Sequence, residues 1–309
     1  MSARAELIAD RGAAASAAEF FRCKQFLRAE DATHSLLVEG EGSRLALPVL
    51  VREIPGSTAL DALSPYGYPG GSLSGAPLAP EAIDWSATGL VSLFVRERVG
   101  APSLAGGTQR SQLQVHDPAL PRSVRDTLGS EVRRNERDGF SVALLPGPEL
   151  DEPTVAAFNQ AYDETMRRAG AAERYFFGIE YLIACLEFER SWLAVVRAPA
   201  GELAAAAIAA VSDGVLHYYL AGTADAHRQA SPGKNALLRL LGLADELGIV
   251  LNLGGGVQPG DGLEAFKRGF ANATRPFMTH EIVCDARAYA ELAEGREAGG
   301  YFPAYRAAA

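Results

Sequence analysis

The order of secondary structure in the second half of the chain is the feature that most constrains its fold. Apolar periodicity predicts two helices, then three consecutive strands, and then helix, strand, helix and strand. Asp213-Gly214, between the second and third of these strands, is a strong hairpin signal. A run of antiparallel strands followed by helical crossovers makes a mixed sheet, so this order predicts an α/β protein that is not doubly wound.

The chain of 309 residues suits two lobes or one large α/β unit. Pro146-Gly147-Pro148 interrupts the pattern, which predicts an N-terminal lobe over residues 1–145 and a C-terminal lobe over residues 146–309. A weak echo of the second lobe in the first favours a duplicated lobe. The predicted helices cover residues 15–28, 122–137, 152–169, 179–190, 232–247 and 261–270, and the predicted strands cover 35–39, 45–53, 90–96, 113–116, 140–145, 192–197, 203–211, 215–221, 249–253 and 278–284.

Composition is that of an ordinary globular protein, with 48% hydrophobic and 22% charged residues. Charged residues interrupt the first eighteen positions and no apolar run reaches spanning length, so we expect no signal peptide, no membrane span and a cytoplasmic location. A net charge of −9 argues against binding to duplex DNA. The three cysteines have no paired spacing, so neither a disulfide framework nor a metal site is expected.

Gly254-Gly255-Gly256 lies between a predicted strand and a predicted helix. Three consecutive glycines allow the backbone to approach a ligand closely and expose amide donors, although a plain tight turn would use the same residues. Asp261 and Glu264 have the spacing of a capping box, which predicts where the next helix begins.

Lys267 is one of three lysines and falls on or beside the apolar stripe Leu263, Phe266 and Phe270 of that helix. A lysine that faces the interior loses hydration unless phosphate, a carboxylate or a developing oxyanion meets it. The alternative is a side chain whose stem packs while its ammonium reaches water. His217, on the third strand, is a candidate general base or a buried histidine with satisfied ring nitrogens.

Four segments, in order along the chain, carry a family resemblance. They are Arg133-Arg134-Asn135 with Gly139, Tyr162-x-x-Thr165-Met166-Arg167 with Tyr175-Phe176, Asp213 to His217 with Gly222-Thr223, and Leu253 to Gly256 followed by Phe266-Lys267 and Gly269-Phe270. Together they resemble the Fem-like transferases, two-lobed acyltransferases of the GNAT (N-acetyltransferase) superfamily that include peptidoglycan interpeptide-bridge enzymes. The match covers residues 130 to 285, and extends more loosely to the loop from Pro65 to Gly71.

The resemblance implies tandem GNAT-like lobes with the acyl donor held in the second. It implies that Phe266 is a stacking platform and Lys267 an electrostatic stabiliser where the acylated 3′ end of tRNA enters. Further substrate-binding residues are expected from the same motifs and from the glycine-rich loops: Tyr66, Tyr68, Arg134, Tyr162, Thr165, Arg167, Tyr175, Gly254, Gly255 and Gly256, with His217 as a catalytic candidate. For Tyr66 and Tyr68, surface aromatics folded over the lobe are an equal alternative.

The expected activity is transfer of an aminoacyl group from aminoacyl-tRNA to an amine-type nucleophile on a small molecule or peptide, without a tightly bound cofactor. Acyl-CoA is the alternative donor. Against it, the loop from Arg228 to Lys234 has Ser231 in place of a glycine, and Pro232 removes an amide that would cradle a pyrophosphate. A non-catalytic GNAT-like protein that binds an anion is a third possibility. The acyl group, acceptor, pathway, oligomeric state and general base are left open.

Overall fold

Two compact units make up the chain in the computed structural model, which describes residues 3–258, 260–296 and 299–307. Unit 1 comprises residues 1–111 and 276–309, and unit 2 comprises residues 112–275. This division differs from the predicted lobes 1–145 and 146–309. The difference arises because residues 112–145 pack within unit 2, and because the chain after residue 275 returns to unit 1.

The regular elements are labelled in chain order. They are β1 (Ala3–Ile8), α1 (Lys24–Ala29), β2 (His34–Gly40), β3 (Ser43–Glu53), β4 (Leu60–Leu63), β5 (Ser72–Ser74), β6 (Ile83–Asp84), β7 (Leu90–Arg96), β8 (Thr108–His116), α2 (Asp126–Arg137), β9 (Ser141–Pro146), α3 (Glu152–Arg168), α4 (Gly178–Leu186), β10 (Ser191–Arg197), β11 (Leu203–Ser212), β12 (Val215–Thr223), α5 (Gly233–Leu247), β13 (Leu251–Gly254), α6 (Gly262–Arg268), β14 (Ala273–Val283) and α7 (Ala286–Ala293). Within these described residues, no helix combines the length and apolarity that a membrane crossing requires.

Unit 1 is built on a mixed sheet in the order β6-β1-β2-β3-β4-β7-β14, with β5 paired to β3. The β1–β6 and β4–β7 pairs are parallel, and the other neighbours are antiparallel. Its core is mainly aliphatic and includes fully buried Leu36, Leu47 and Leu93 together with Trp85. The loop between β4 and β5 contains the predicted Pro-Tyr-Gly-Tyr-Pro-Gly segment.

The strands of unit 2 are hydrogen-bonded in the order β8-β13-β12-β11-β10-β9. The β12–β13 pair is parallel and the remaining neighbours are antiparallel. Leu216 pairs with Leu251, and His217 pairs with Asn252. Beyond this point β12 continues to Thr223, whereas the chain after Gly254 turns into a loop. The mixed parallel and antiparallel pairing in both units confirms the predicted mixed-sheet α/β class.

Helices cover both faces of the unit 2 sheet. On one face the apolar side of α5 packs on β10, β11 and β12, and buried Leu237, Leu240 and Leu241 fill the core. On the other face α3 lies against β11 and β12. A Cβ on Gly222 would lie 2.4 Å from the backbone nitrogen of Tyr162, so glycine is required for this close approach. The run of alanines in β11 is buried throughout, which lets both layers come close to the sheet.

Several sequence-based boundaries differ from the structure. The predicted helix over residues 15–28 is wrong over its first half, because α1 begins after Cys23, whose sulfur accepts the amide of Phe26. Helix α5 begins at Gly233 rather than at the predicted residue 232: Ser231 lies in the left-handed region at φ 50°, and Pro232 precedes the helix. The short strands β1, β4, β5 and β6 and helix α7 were not predicted from the sequence.

Candidate functional site

The loop after β13 is shaped by one carboxylate. Asp261 caps α6 by accepting the amide of Glu264 at 2.8 Å, and it also accepts the amides of Val257 and Gln258 at 2.6 and 2.9 Å. These amide hydrogen bonds hold the pKa of the Asp261 carboxyl below its ordinary value. The side chain of Glu264 turns back to the amide of Gly260 at 2.8 Å. The predicted capping pair is confirmed, and it ties the glycine loop to the start of the helix.

Lys267 projects from α6 onto this loop. Its Nζ donates to the carbonyl oxygen of Gly255 at 2.8 Å, and the side chain is half-buried. Burial lowers the pKa of the Lys267 ammonium to about 8, and the negative charge of Asp261 opposes that shift. The structure therefore places a cation in partly desolvated surroundings at the end of β13, where a carbonyl oxygen already meets it.

The aromatic residues of α6 explain the rest of the motif. Phe270 is fully buried in the core, and half-buried Phe266 packs edge-on against it with ring centroids 5.5 Å apart. Leu263 is exposed, so the predicted apolar stripe is buried only toward its C-terminal end. A Cβ on Gly269 would lie 2.5 Å from Cδ1 of Leu128, so this glycine admits the packing of α2 against α6.

His217 lies on β12 and is buried. Its Nδ1 is 3.2 Å from Nδ2 of Asn252 on the neighbouring strand. Burial lowers the pKa of the His217 ring to about 4, while a hydrogen bond to the backbone of Ser212 and the charge of Asp213 act in the opposite direction. The ring is therefore neutral at physiological pH and is engaged with Asn252.

A second group of predicted residues lies on and after α3. Buried Tyr162 donates its hydroxyl to the carbonyl of Tyr175 at 2.7 Å. Thr165 Oγ1 accepts the amide of Thr223 at 2.9 Å, which joins α3 to the end of β12. Arg167 is exposed and lies 3.7 Å from Asp163 of the same helix. In this structure Tyr162 and Thr165 thus join neighbouring segments of unit 2.

The remaining predicted residues are more peripheral. Arg134 is an exposed side chain on α2. Tyr66 and Tyr68 lie in the β4–β5 loop of unit 1, where the amide of Tyr66 donates to Glu30 and the Tyr68 ring packs between Phe21 and Phe277. Tyr66 is exposed, whereas Tyr68 is half-buried.

Within unit 2 the structure brings together Gly254 to Gly256 and Lys267, and connects His217 to them through Asn252. Phe266 precedes Lys267 on α6 but packs against Phe270 and the core. Asn252 was missed from the sequence, although a single polar residue within the strand Leu251-Asn252-Leu253 was a signal for it. Tyr181 and Tyr219 were also missed; their hydroxyls are 2.5 Å apart on the α4-covered side of β12. Among residues 3–258, 260–296 and 299–307, no group of three or more His, Cys, Asp or Glu side chains is arranged to hold a metal ion.

A family model matches the segment of the chain that contains these residues. Residues 122–268 match the model described as "Acetyltransferase (GNAT) domain", and this segment lies within unit 2 and runs from before α2 to the end of α6. It therefore includes the glycine loop, His217, Asn252 and Lys267. A comparison with curated protein sequences finds no significant match.

Solved structures share the fold over most of the chain. FemX superposes with a TM-score of 0.62 at 11% identity, covering 87% of this chain and 93% of FemX. The C-terminal DUF2156 domain of an Agrobacterium fabrum protein gives a TM-score of 0.56 at 16% identity, with 89% of each chain covered. L-PGS from Bacillus licheniformis gives 0.50 at 13% identity, covering 81% and 84%. At these identities the similarity concerns the fold.

Proposed function

Residues 122–268 are an acyltransferase domain of the GNAT superfamily, and from that premise we propose that the chain moves an aminoacyl group from aminoacyl-tRNA to an amine of a small molecule or peptide. The observation that carries this proposal is the half-buried ammonium of Lys267 at the Gly255 carbonyl. A cation that is already positioned and partly desolvated stabilises negative charge on a reacting carbonyl oxygen more strongly than a cation in water.

In the proposed reaction, the acceptor nitrogen attacks the carbonyl carbon of the aminoacyl ester. A C–N bond forms, the ester C–O bond breaks, and the ribose oxygen of the tRNA leaves with the proton that the nitrogen loses. No covalent enzyme intermediate is required, because proximity and orientation supply much of the rate. Lys267 faces the oxygen on which negative charge develops, and Phe266 offers a half-buried ring on which a base of the acceptor end can stack.

The pKa values of the two titratable side chains in the site suit different roles. Lys267, with a pKa lowered to about 8, is mainly charged at neutral pH and can stabilise an oxyanion. His217, with a pKa lowered to about 4, is a weak base at that pH. We therefore assign proton uptake to the leaving ribose oxygen, directly or through water.

The segment from Arg228 to Lys234 favours tRNA over acyl-CoA as the donor. A pyrophosphate cradle uses successive backbone amides at a helix N-terminus. Here Pro232 has no amide hydrogen, Ser231 takes a left-handed conformation, and the ammonium of Lys234 is engaged by Glu131. The net charge of −9 opposes broad contact with tRNA, so the proposed contact is limited to the single-stranded acceptor end.

A donor screen tests the proposal. Charged tRNA pools and acyl-CoA mixtures are offered with a panel of amines, and consumption of each donor is measured with and without ribonuclease. We expect transfer from charged tRNA that ribonuclease abolishes. Transfer from acyl-CoA that survives ribonuclease would establish the alternative donor, and consumption of neither class would contradict an enzymatic role.

Lys267→Ala tests the role of the ammonium, with Lys24→Ala as the matched control because Lys24 is exposed on α1. Removal of one preorganised oxyanion partner lowers kcat by about 100-fold or more. We expect that loss in Lys267→Ala and wild-type turnover in Lys24→Ala, with both variants folded by circular dichroism. Turnover of Lys267→Ala close to wild type would remove this lysine from the mechanism.

A further inference from the structure

Asn252 lies at the centre of a buried hydrogen-bond chain that ends at the glycine loop. The residue is 1% exposed, its Oδ1 accepts the amide of Gly254 at 2.8 Å, and its Nδ2 lies 3.2 Å from His217 Nδ1. The next residue, Gly255, supplies the carbonyl that accepts the Lys267 ammonium at 2.8 Å. The side chain of Asn252 thus fixes the Gly254 amide, which lies two peptide units before the Gly255 carbonyl that accepts Lys267.

These contacts determine the direction of each hydrogen bond. The amide hydrogen of Gly254 can only be donated, so the atom of Asn252 that receives it is the side-chain oxygen. The side-chain nitrogen of Asn252 therefore faces His217 and donates to Nδ1, which must carry no proton. A protonated ring would place two N–H groups against each other, so this chain requires neutral His217.

An apolar residue at position 252 could not accept the hydrogen bond from the amide of Gly254. Leu251 and Leu253 are fully buried in the core that α5 covers, and Asn252 lies on the opposite face of β13. A leucine in place of Asn252 would fill similar space but would leave the buried amide of Gly254 without its acceptor. Leaving such a group unsatisfied is more costly than losing an ordinary hydrogen bond.

We propose that Asn252 is a positioning residue, with His217 as its hydrogen-bond acceptor, and that the pair sets the Gly254–Gly256 backbone so that the Lys267 ammonium is held at the Gly255 carbonyl. This inference rests on the proposed role of Lys267 in transfer. It gives His217 a part other than proton transfer: the ring acts through Asn252 and the loop. Asn252 in turn acts through Lys267.

The three lysines of the chain make a direct test practical. After reductive methylation with ¹³C-formaldehyde, each dimethyl-lysine is followed by NMR through a pH titration, and Lys24→Arg and Lys234→Arg assign the signals. In Asn252→Ala we expect the loop to relax and the ammonium of Lys267 to regain water. Its pKa then rises by at least one unit toward its ordinary value, and transfer falls about tenfold or more.

Asn235→Ala is the matched control. Asn235 is also buried in unit 2, but its side chain contacts Asn135 on α2 rather than the glycine loop. We expect this variant to lose stability while the pKa of Lys267 and the rate of transfer stay near wild type. A folded Asn252→Ala protein with an unchanged Lys267 pKa would overturn the proposal. Because the titration needs no donor, this result is readable even if the proposed function fails.

His217→Asn and His217→Leu provide a second route that remains open if Asn252→Ala does not fold. The Oδ1 atom of a new asparagine can replace Nδ1 as the acceptor for Asn252 but cannot act as a base, whereas leucine offers no acceptor. We expect His217→Asn to keep transfer within about threefold of wild type and His217→Leu to lose tenfold or more. Equal losses in both variants would show that the imidazole itself is needed and would contradict a positioning role.

Discussion

The glycine-rich loops of the two units are closed by different side chains: arginines at the two ends of the unit 1 loop, and the carboxylate of Asp261 across the unit 2 loop. In unit 1, cations hold the carbonyls at the loop ends: the guanidinium of Arg22 donates to Pro69 at 2.5 Å, and that of Arg96 donates to Ser64 at 3.0 Å. Between them the carboxylate of Glu30 accepts the amide of Tyr66. Arg22 is almost completely buried in this arrangement. The loop that presents Tyr66 and Tyr68 is therefore closed at both ends by arginine.

In unit 2 an anion holds amides instead. The carboxylate of Asp261 accepts three backbone N–H groups around the glycine loop, and Asn252 accepts a fourth. Because a carboxylate and an amide hold the backbone, the cation Lys267 is not needed to close the loop. In the proposed mechanism its contact with Gly255 gives way to a substrate oxygen. In the unit 1 loop the arginines are used to hold the backbone. In the unit 2 loop the backbone is held by Asp261 and Asn252, which leaves the ammonium of Lys267 for a substrate in the proposed mechanism.

Among the changes that test this comparison, the largest expected effect comes from displacing the carboxylate that closes the unit 2 loop. A Cβ on Gly256 would lie 2.4 Å from Oδ1 of Asp261, whereas a Cβ on Gly262 would meet nothing within 4 Å. We expect Gly256→Ala to displace Asp261 and lower transfer about 30-fold, a change of about 2 kcal/mol in barrier. Gly262→Ala, at the start of α6, should stay near wild type. Equal activities of the two variants would show that the loop geometry is not critical.

The next effect concerns the charge of Lys267. If the ammonium form is active and its pKa is about 8, transfer at pH 9 should fall to about one tenth of its plateau. Lys267→Arg keeps its charge through this range, so whatever activity it retains should lack the decline near pH 8. A wild-type rate that still rises through pH 9 would indicate that neutral Lys267, or another group, is the active form.

The same burial affects stability with a definite sign. The pKa of Lys267 is lower in the folded chain than in the unfolded chain, so the unfolded state binds more protons between about pH 8 and pH 10.5. The contribution of this lysine is therefore unfavourable below pH 8 and disappears as the pH rises through that window. Half-burial of the charged Lys267 therefore lowers the free energy of unfolding at neutral pH.

How far these features could be predicted depends on whether their cause is local. Asp213 and Gly214 both have positive φ, at 51° and 72°, as the Asp-Gly hairpin signal requires. The capping by Asp261 was likewise predictable, because a carboxylate acts on amides a few residues away. The role of Asn252 was not, because it depends on His217, which lies 35 positions away and becomes its neighbour only when β12 and β13 pair.

Unit 1 was harder to predict for the same reason. Ala3–Ile8 alternates buried and exposed residues at its start, but its alanines have little strand propensity, and the strand is stabilised by pairing with β2 and β6. The return of the chain to unit 1 after residue 275 has no local signal either. Proline and glycine indicate a turn in the chain but do not show whether a lobe ends there. Pro146-Gly147-Pro148 forms a turn that lies inside unit 2.

A smaller effect is expected in the loop of unit 1, where packing rather than catalysis is at stake. Gly67 and Gly56 have similar positive φ values of 88° and 77°, but a Cβ on Gly67 would lie 2.4 Å from the Phe21 ring, and one on Gly56 would meet nothing within 4 Å. Gly56→Ala should lower the free energy of unfolding by about 1 kcal/mol through backbone strain. Gly67→Ala should cost about 1–3 kcal/mol more through the clash, as measured by urea unfolding. Equal values would show that the loop yields freely and is not held by arginine.

The smallest expected effect is the pH dependence of stability that Asp261 contributes. Its pKa is lower in the folded chain, so its contribution is present above the ordinary carboxyl pKa of about 4 and is lost as the pH falls through the lowered value. In Asp261→Asn the change in unfolding free energy between pH 6 and pH 3 should be smaller than in wild type. Asp285→Asn is the matched control, because Asp285 caps α7 in unit 1. We expect Asp261→Asn to reduce the acid limb, which is the fall in unfolding free energy between pH 6 and pH 3. We expect Asp285→Asn to leave transfer unchanged. These two results together would distinguish the carboxylate that closes the glycine loop from one that only caps a helix. An acid limb identical to wild type in Asp261→Asn would contradict the assignment of loop closure to this carboxylate.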